Sequence, residues 1–311
     1  MLSADELAHL IGGQAPAEAV PSAAGVAFHS ARLRPGEAFF ALPGQAGHGI
    51  RYAEEVLGRG AAYLVSDAPH PRGVRVADPA AALLALGRWA RSSYEGPVVG
   101  ISGSAGKTST KAFAAAALGA ASSPGNLNTP LALAATLVNA RLAPEGRRPL
   151  VLELGIDHRG EMAELVALVK PSHGLLTLIA PSHLLGLGDL ATVAREKAVL
   201  LEAAPQAWNF LSPDLRARVT SYGLDEDAHF VGRRLAQSLG AQTLQVQGVT
   251  FELPHPGEAM ARNAVGALAL AAALGLPLAA AAAALAAATL EGGRLQLRRA
   301  GGRLILDDSY N

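Results

Sequence analysis

The sequence predicts an α/β protein: a small N-terminal α/β unit, then a larger unit whose mostly parallel sheet is covered by helices. Two observations carry this. The runs Val98-Val99-Gly100-Ile101, Leu150-Val151-Leu152-Glu153-Leu154 and Gly174-Leu175-Leu176-Thr177-Leu178-Ile179 are largely apolar without alternation, as strands buried on both faces are, and helical stretches separate them. The chain is 311 residues long and half of them are hydrophobic, which excludes intrinsic disorder and suits two domains. The boundary is expected near Pro79, giving domains of 1–78 and 79–311.

Within the first unit, Ala38-Phe39-Phe40-Ala41-Leu42 is strand-like and ends at Pro43-Gly44. Tyr52 to Leu57 reads as a helix, closed by Gly58 to Gly60, and Ala61-Ala62-Tyr63-Leu64-Val65 as a further strand. Asp78-Pro79 then opens a helix through Leu83, Leu86 and Trp89, since proline needs no amide hydrogen at a first helical position. Glu95-Gly96-Pro97 punctuates the chain before the larger sheet. From Asn263 to Leu290 there is no charge, a stretch long enough to span a bilayer. Its alanine-rich content, broken by Gly275-Leu276-Pro277, instead predicts two closely packed buried helices.

Charge and cysteine narrow the function. Lys plus Arg and Asp plus Glu are both 26, so nothing marks a polyanion-binding surface or a nucleic-acid partner. With no cysteine, disulfides, thiolate metal sites and thiol nucleophiles are excluded. Met1 to Leu7 carries acids early and lacks the apolar run of a secretory leader, so a cytoplasmic protein, monomeric by default, is expected.

The strongest chemical signal is Gly100-Ile101-Ser102-Gly103-Ser104-Ala105-Gly106-Lys107-Thr108-Ser109. A strand, a glycine-rich turn and Gly-Lys-Thr at a helix start make a phosphate cradle, a P-loop. Backbone amides face the anion, Lys107 reaches the terminal phosphates and Thr108 can ligate Mg²⁺. It is a variant loop, because the usual first glycine position holds Ile101 and Gly100 lies one residue too far away. Glu153 is the second signal: a carboxylate in an apolar strand is costly to bury unpaired. It is either a Mg²⁺ holder near the loop or half of a structural ion pair. His183, in Ala180-Pro181-Ser182-His183, reads by itself as a satisfied loop histidine, and Lys197, in Arg195-Glu196-Lys197, as part of a solvated helix face.

Together these residues carry a resemblance. Gly103-Ser104-Ala105-Gly106-Lys107-Thr108-Ser109-Thr110-Lys111, Pro124-Gly125-Asn126-Leu127-Asn128, and Glu153-Leu154-Gly155 with His158, Gly160 and Glu161 resemble the Mur ligase family. So do His183-Leu184-x-Gly186-x-Gly188, Lys197, Arg294-Leu295-Gln296, Asp307-Asp308-Ser309-Tyr310-Asn311 and the N-terminal Arg34-Pro35-Gly36 through Ala41-Leu42-Pro43-Gly44. The pattern is most like the members that add D-alanyl-D-alanine. The resemblance implies a UDP-sugar domain, a central ATP-binding domain, and a third domain beyond the Asp-Asp-Ser-Tyr-Asn motif that these 311 residues do not contain. It implies ATP-dependent joining of D-Ala-D-Ala to UDP-MurNAc-tripeptide through an acyl phosphate. Gly103, Ser104, Gly106, Lys107, Thr108, Ser109, Asn263, Arg294 and Asp308 would contact the nucleotide, and Ser30, Asn126 and His158 the UDP-linked substrate. Thr108 and Glu153 would hold one Mg²⁺, and His183 with a carbamylated Lys197 a second.

Departures from the family pattern cluster at the ends of the substrates. His29-Ser30-Ala31 stands where the family has Asp-Ser/Thr-Arg, with Arg32 adjacent, and Gly257-Glu258-Ala259-Met260 stands where it has Gly-x-His-Asn. Ala132 and Ala134 replace a Gly and a Pro, and Leu185 an acid. Two other readings stay open: a degenerate or truncated nucleotide- or UDP-sugar-binding module without turnover, and a P-loop kinase that phosphorylates a hydroxyl and needs no carbamylated lysine.

Overall fold

The structure, a computed structural model, describes residues 1–44, 47–204, 206–209, 219–294 and 296–309. Its contacts divide the chain into two units: Met1–Gly96 with Thr129–Arg147, and Pro97–Asn128 with Arg148–Asn311. The division thus falls after Gly96 rather than near Pro79, and one segment crosses back. The reason is packing. The Pro79–Ser92 helix buries Ala82, Leu83, Leu86, Gly87 and Ala90, and lies against the Pro130–Leu142 helix closely enough that a Cβ on Gly87 would sit 2.6 Å from Ala134 Cβ. A local helix-start signal at Asp78-Pro79 cannot reveal which sheet the helix will cover. The start itself is as expected: Asp78 accepts from the amides of Ala80 (2.8 Å) and Ala81 (3.1 Å), an N-cap.

The first unit holds a four-stranded parallel sheet in the order Gly25–Ala27, Glu37–Phe40, Leu64–Ser66, Gly73–Arg75. Phe39, Phe40, Tyr63, Leu64 and Val65 are fully buried, as their apolar run predicts. The Tyr52–Leu57 helix appears as a 3-10 turn, Gly49–Tyr52, followed by an α-helix, Ala53–Gly58. At the sheet edge Asn139 replaces a missing strand. Its Oδ1 accepts from Val26 N (2.7 Å) and its Nδ2 donates to Val26 O (3.0 Å), satisfying edge groups that would otherwise stay open.

The second unit is built on a nine-stranded sheet. Its order is Val249–Leu253, Gln242–Val246, Phe230–Gln237, Thr220–Gly223, Gln206–Asn209, His173–Leu176, Val98–Ser102, Leu150–Glu153 and Ala121–Ser122. Pairing is parallel from Ala121–Ser122 to Phe230–Gln237, and the last two strands continue antiparallel. Alternation along the central strand assigns the faces. Val99 and Ile101 join Phe113, Ala114, Ala264 and Leu268 in one core under the Lys107–Leu118 and Glu258–Ala273 helices. Gly100 faces the opposite layer, where the Leu190–Ala203 helix lies so close that a Cβ would be 2.9 Å from Leu200 Cδ1. Gly100 is therefore a packing glycine and no part of the phosphate loop, which explains its displaced position. The uncharged stretch forms two helices, Glu258–Ala273 and Leu278–Ala286, whose inner faces are buried, and no described helix is long and apolar enough to cross a membrane.

Candidate active site

The loop between the Val98–Ser102 strand and the Lys107–Leu118 helix is braced from the neighbouring strand end. Gly103 has φ +149°, and a Cβ there would lie 1.8 Å from Thr177 Oγ1, so only glycine fits. The Thr177 hydroxyl donates to Ala105 O (2.6 Å) and lies 3.1 Å from Ser102 O. Ser104 N donates to Leu178 O (2.7 Å), while the Ser104 hydroxyl donates to Ala180 O (2.7 Å) and accepts from Ala180 N (3.0 Å) and Ser182 Oγ (2.9 Å). These contacts brace the loop, and its helix begins at Lys107 with no side-chain cap, leaving first-turn amides for an anion.

Glu153, at the end of its strand, is 2% exposed, and protein donors meet both of its oxygens. Thr108 Oγ1 donates to Oε2 (2.8 Å) and Asn128 Nδ2 to Oε1 (3.3 Å). Lys111 Nζ stands 3.9 Å from Oε2, a buried ion pair. Thr108 and Lys111 are three apart, so one helix face delivers both groups to the carboxylate. Lys111 also donates to Ser123 O (2.9 Å) and to Gly125 O, fastening the loop that carries Asn126. Burial pulls the Lys111 amine below its ordinary value, opposed by Glu153 and Glu291. Both readings of Glu153 thus have a counterpart: it is ion-paired and it faces the Thr108 hydroxyl.

Lys107 Nζ donates to Gly103 O (2.8 Å), folding over its own loop. Burial lowers its pKa, Glu153 and Asp157 oppose that, and Arg294 adds to it. Lys197 is not on a solvated face. It is 1% exposed, and burial with the nearby Lys107 charge brings it down to about 8 against a smaller opposing effect of Asp157. The charge of Asp157 is thus felt at both lysines, and its carboxylate sits 2.8 Å from His183 Nδ1. Behind it, Glu161 accepts from the amides of Asp157 (2.7 Å) and His158 (2.9 Å), and Glu196 accepts from Gly160 N (2.9 Å). Sequence reasoning missed Asp157 and Thr177 and gave Lys111 no role. The one usable signal was a polar residue, Thr177, inside an apolar strand run.

The structure gathers Gly103, Ser104, Gly106, Lys107, Thr108, Ser109 and Glu153 at one strand end. Asn263 joins them, since its Oδ1 lies where a Cβ on Gly106 would be 2.8 Å away. Arg294 is close enough to depress both loop-helix lysines. Asn126 and His158 are exposed on adjoining loops, and Asp308 is exposed beyond the Arg303–Asp307 strand. Ser30 is half-buried in the first unit, where its carbonyl accepts from Arg59 (2.6 Å). Leu295, Tyr310 and Asn311 of the expected motifs lie outside the described residues. Met260, at a position expected to be polar, is buried in the core.

No group of three or more His, Asp or Glu side chains among the described residues is placed to hold a metal by itself. One hydroxyl and one buried carboxylate, Thr108 and Glu153, still fit a Mg²⁺ ion whose other ligands are waters and phosphate oxygens.

Residues 101–271, more than half of the chain, match the Mur ligase middle domain. The chain belongs to the Mur ligase family. It is 30% identical, over 90% of its length, to the UDP-N-acetylmuramoyl-tripeptide–D-alanyl-D-alanine ligase of Escherichia coli (strain K12), and spans 67% of that relative. The corresponding Haemophilus influenzae ligase is 31% identical over 88% of the chain, which spans 65% of it. Among Mur ligase structures, MurF from Acinetobacter baumannii superposes with a TM-score of 0.83 at 25% identity, covering 100% of this chain and 73% of that one. The Thermotoga maritima MurF ligase in complex with ADP superposes at 0.74 and 25% identity, covering 92% and 71%.

Proposed function

We propose that this chain carries the UDP-sugar and ATP sites of a MurF-type ligase, which joins D-Ala-D-Ala to UDP-MurNAc-tripeptide in peptidoglycan precursor synthesis. The observation that supports it most is the convergence of Lys107, Thr108 and Glu153 on one braced loop, with a buried Lys197 beside them. A carboxylate is a poor electrophile, so it must first receive a leaving group. Its oxygen attacks the γ-phosphorus of ATP, the bond to the bridging oxygen breaks, and acyl phosphate and ADP result. The dipeptide amine then attacks the acyl carbon, the C–N bond forms, phosphate leaves and the amine proton passes to solvent. Lys107 and the amides at the helix start offset charge on the transferring phosphoryl group.

In this reading Thr108 and Glu153 hold Mg²⁺, which supplies charge neutralisation to the phosphates when bound. Asn263, Arg294 and Asp308 contact the nucleotide, Asn126 and His158 the peptide substrate, and Ser30 the UDP end within an N-terminal UDP-sugar domain. Lys197 is carbamylated: its neutral amine attacks CO₂ and loses a proton, converting a cation into an anion able to assist a second Mg²⁺ at His183. Burial that brings this amine to about 8 supplies the neutral form the reaction needs. Use of ATP and a UDP-linked precursor places the reaction in the cytoplasm, and a monomer suffices for it.

The binding-module reading is favoured by one observation, the burial of Met260 where a polar nucleotide contact is expected. Phosphate release from ATP with UDP-MurNAc-tripeptide, with and without D-Ala-D-Ala, separates the two. Amide product with the dipeptide establishes the ligase; tight binding of the UDP-linked tripeptide without turnover establishes the binding module. Phosphorylation of a hydroxyl that survives Lys197→Ala unchanged would point to the kinase.

A further inference from the structure

Among the described residues of the second unit, Lys111 is the most completely enclosed cation that the proposed chemistry leaves without a role. Its side chain is 4% exposed. Burying a lysine there is costly unless its ammonium is needed, since an apolar residue would fill the space more cheaply. What the ammonium touches is specific. It donates to Ser123 O at 2.9 Å and to Gly125 O, and stands 3.9 Å from Glu153 Oε2. Asn128, at the far end of the same loop, donates to the other Glu153 oxygen at 3.3 Å. The amide of Asn128 packs so tightly on Gly155 that a Cβ there would be 2.4 Å from Nδ2. The 123–128 segment is therefore fastened on both sides of Asn126, and both fastenings lead to the carboxylate that faces Thr108.

We propose that Lys111 is a positioning residue that ties the loop bearing Asn126 to the Glu153 carboxylate, so that one helix turn sets the nucleotide-side groups and the register of the peptide-substrate contact together. The roles given to Asn126, Thr108 and Glu153 rest on the ligase reading; the fastening does not. Removing the ammonium has two opposite consequences. The loop loses its anchor, so the UDP-linked substrate binds more weakly. Glu153 loses a competing positive charge, so a divalent metal is held at least as well. A role in stability alone would weaken both.

The test uses the full chain and its Lys111→Met variant, with calorimetric titration of Mn²⁺ with a non-hydrolysable ATP analogue and, separately, of UDP-MurNAc-tripeptide. Lys111→Met is expected to weaken the UDP-linked tripeptide by at least about tenfold while the metal–nucleotide affinity stays level or tightens. Parallel losses, or no loss for the tripeptide, overturn the proposal. If the parent chain does not bind the tripeptide, the ligase reading fails. The fastening is then judged by hydrogen exchange: faster exchange confined to residues 123–128 in Lys111→Met supports it, and unchanged exchange overturns it. Should that variant not fold, Glu153→Gln in the same measurement is expected to release 123–128, and protection equal to the parent's overturns the proposal.

Discussion

Replacing Lys197 by methionine should stabilise the protein at neutral pH. The side chain is 1% exposed, and among the described residues it has no ion-pair partner within 4.0 Å; Asp157 opposes its loss of charge only from a distance. Bringing a lysine from 10.5 to about 8 corresponds to about 3 kcal/mol of unfavourable burial for the charged form. The folded value lies below the unfolded one, so the unfolded chain binds more protons between pH 8 and 10.5. The penalty is complete below about pH 8 and is relieved as pH rises towards 10.5, which makes parent stability climb with pH across that window. Methionine keeps most of the packing volume and carries no charge. Lys197→Met should therefore exceed the parent by up to about 3 kcal/mol at pH 7, with the gap shrinking by pH 9.5. Urea unfolding followed by circular dichroism in CO₂-depleted buffer measures both points. A variant less stable than the parent at pH 7, or a gap that ignores pH, would refute the argument. Added bicarbonate at pH 8 should raise parent stability and give a ¹³C carbamate signal, neither of which Lys197→Met can show.

Three further substitutions and one control probe separate parts of the molecule. Gly103→Ala forces Thr177 from both of its carbonyl neighbours and places alanine at φ +149°, costing about 3–5 kcal/mol locally. Thermal melting should register it, whereas Gly58→Ala, with nothing within 4 Å, should melt like the parent. Lys107→Ala should abolish nucleotide hydrolysis in a phosphate-release assay; undiminished turnover would sink the P-loop assignment. Asn139→Leu leaves Val26 N and O without their partner and should destabilise the first unit by about 1–3 kcal/mol, read as faster hydrogen exchange in Gly25–Ala27 with the second unit unaffected.

What the sequence revealed and what it concealed divide along physical lines. Strand, turn and helix start around Lys107 are local, and the loop appeared where the residues placed it. So did the buried alanine-rich helix pair, because Gly275-Leu276-Pro277 interrupts the pattern locally. Which sheet a helix covers is not local: Pro79–Ser92 joined the first unit through contacts with residues 130–142, some fifty positions away. Thr177 could not be assigned from sequence for the same reason, since its hydroxyl matters only beside Gly103 across a parallel strand pair.

Lys197 is the more instructive case, because its burial was legible and the adjacent charges hid it. Arg195-Glu196-Lys197 looks like a solvated run, yet Val193, Lys197, Leu200 and Leu201 fall on one helical stripe, all of it buried. A lysine on an apolar stripe either finds a partner or keeps its charge at a cost, with a depressed pKa. Lys111 and Lys197 take the two courses: Lys111 lies 3.9 Å from a buried carboxylate with two carbonyl acceptors, while Lys197 has no ion-pair partner among the described residues and sits near 8. Their substitutions by methionine should therefore move stability in opposite directions, down by about 3 kcal/mol for Lys111 and up for Lys197. If both variants shift stability in the same direction, the chemical distinction between the two lysines is wrong.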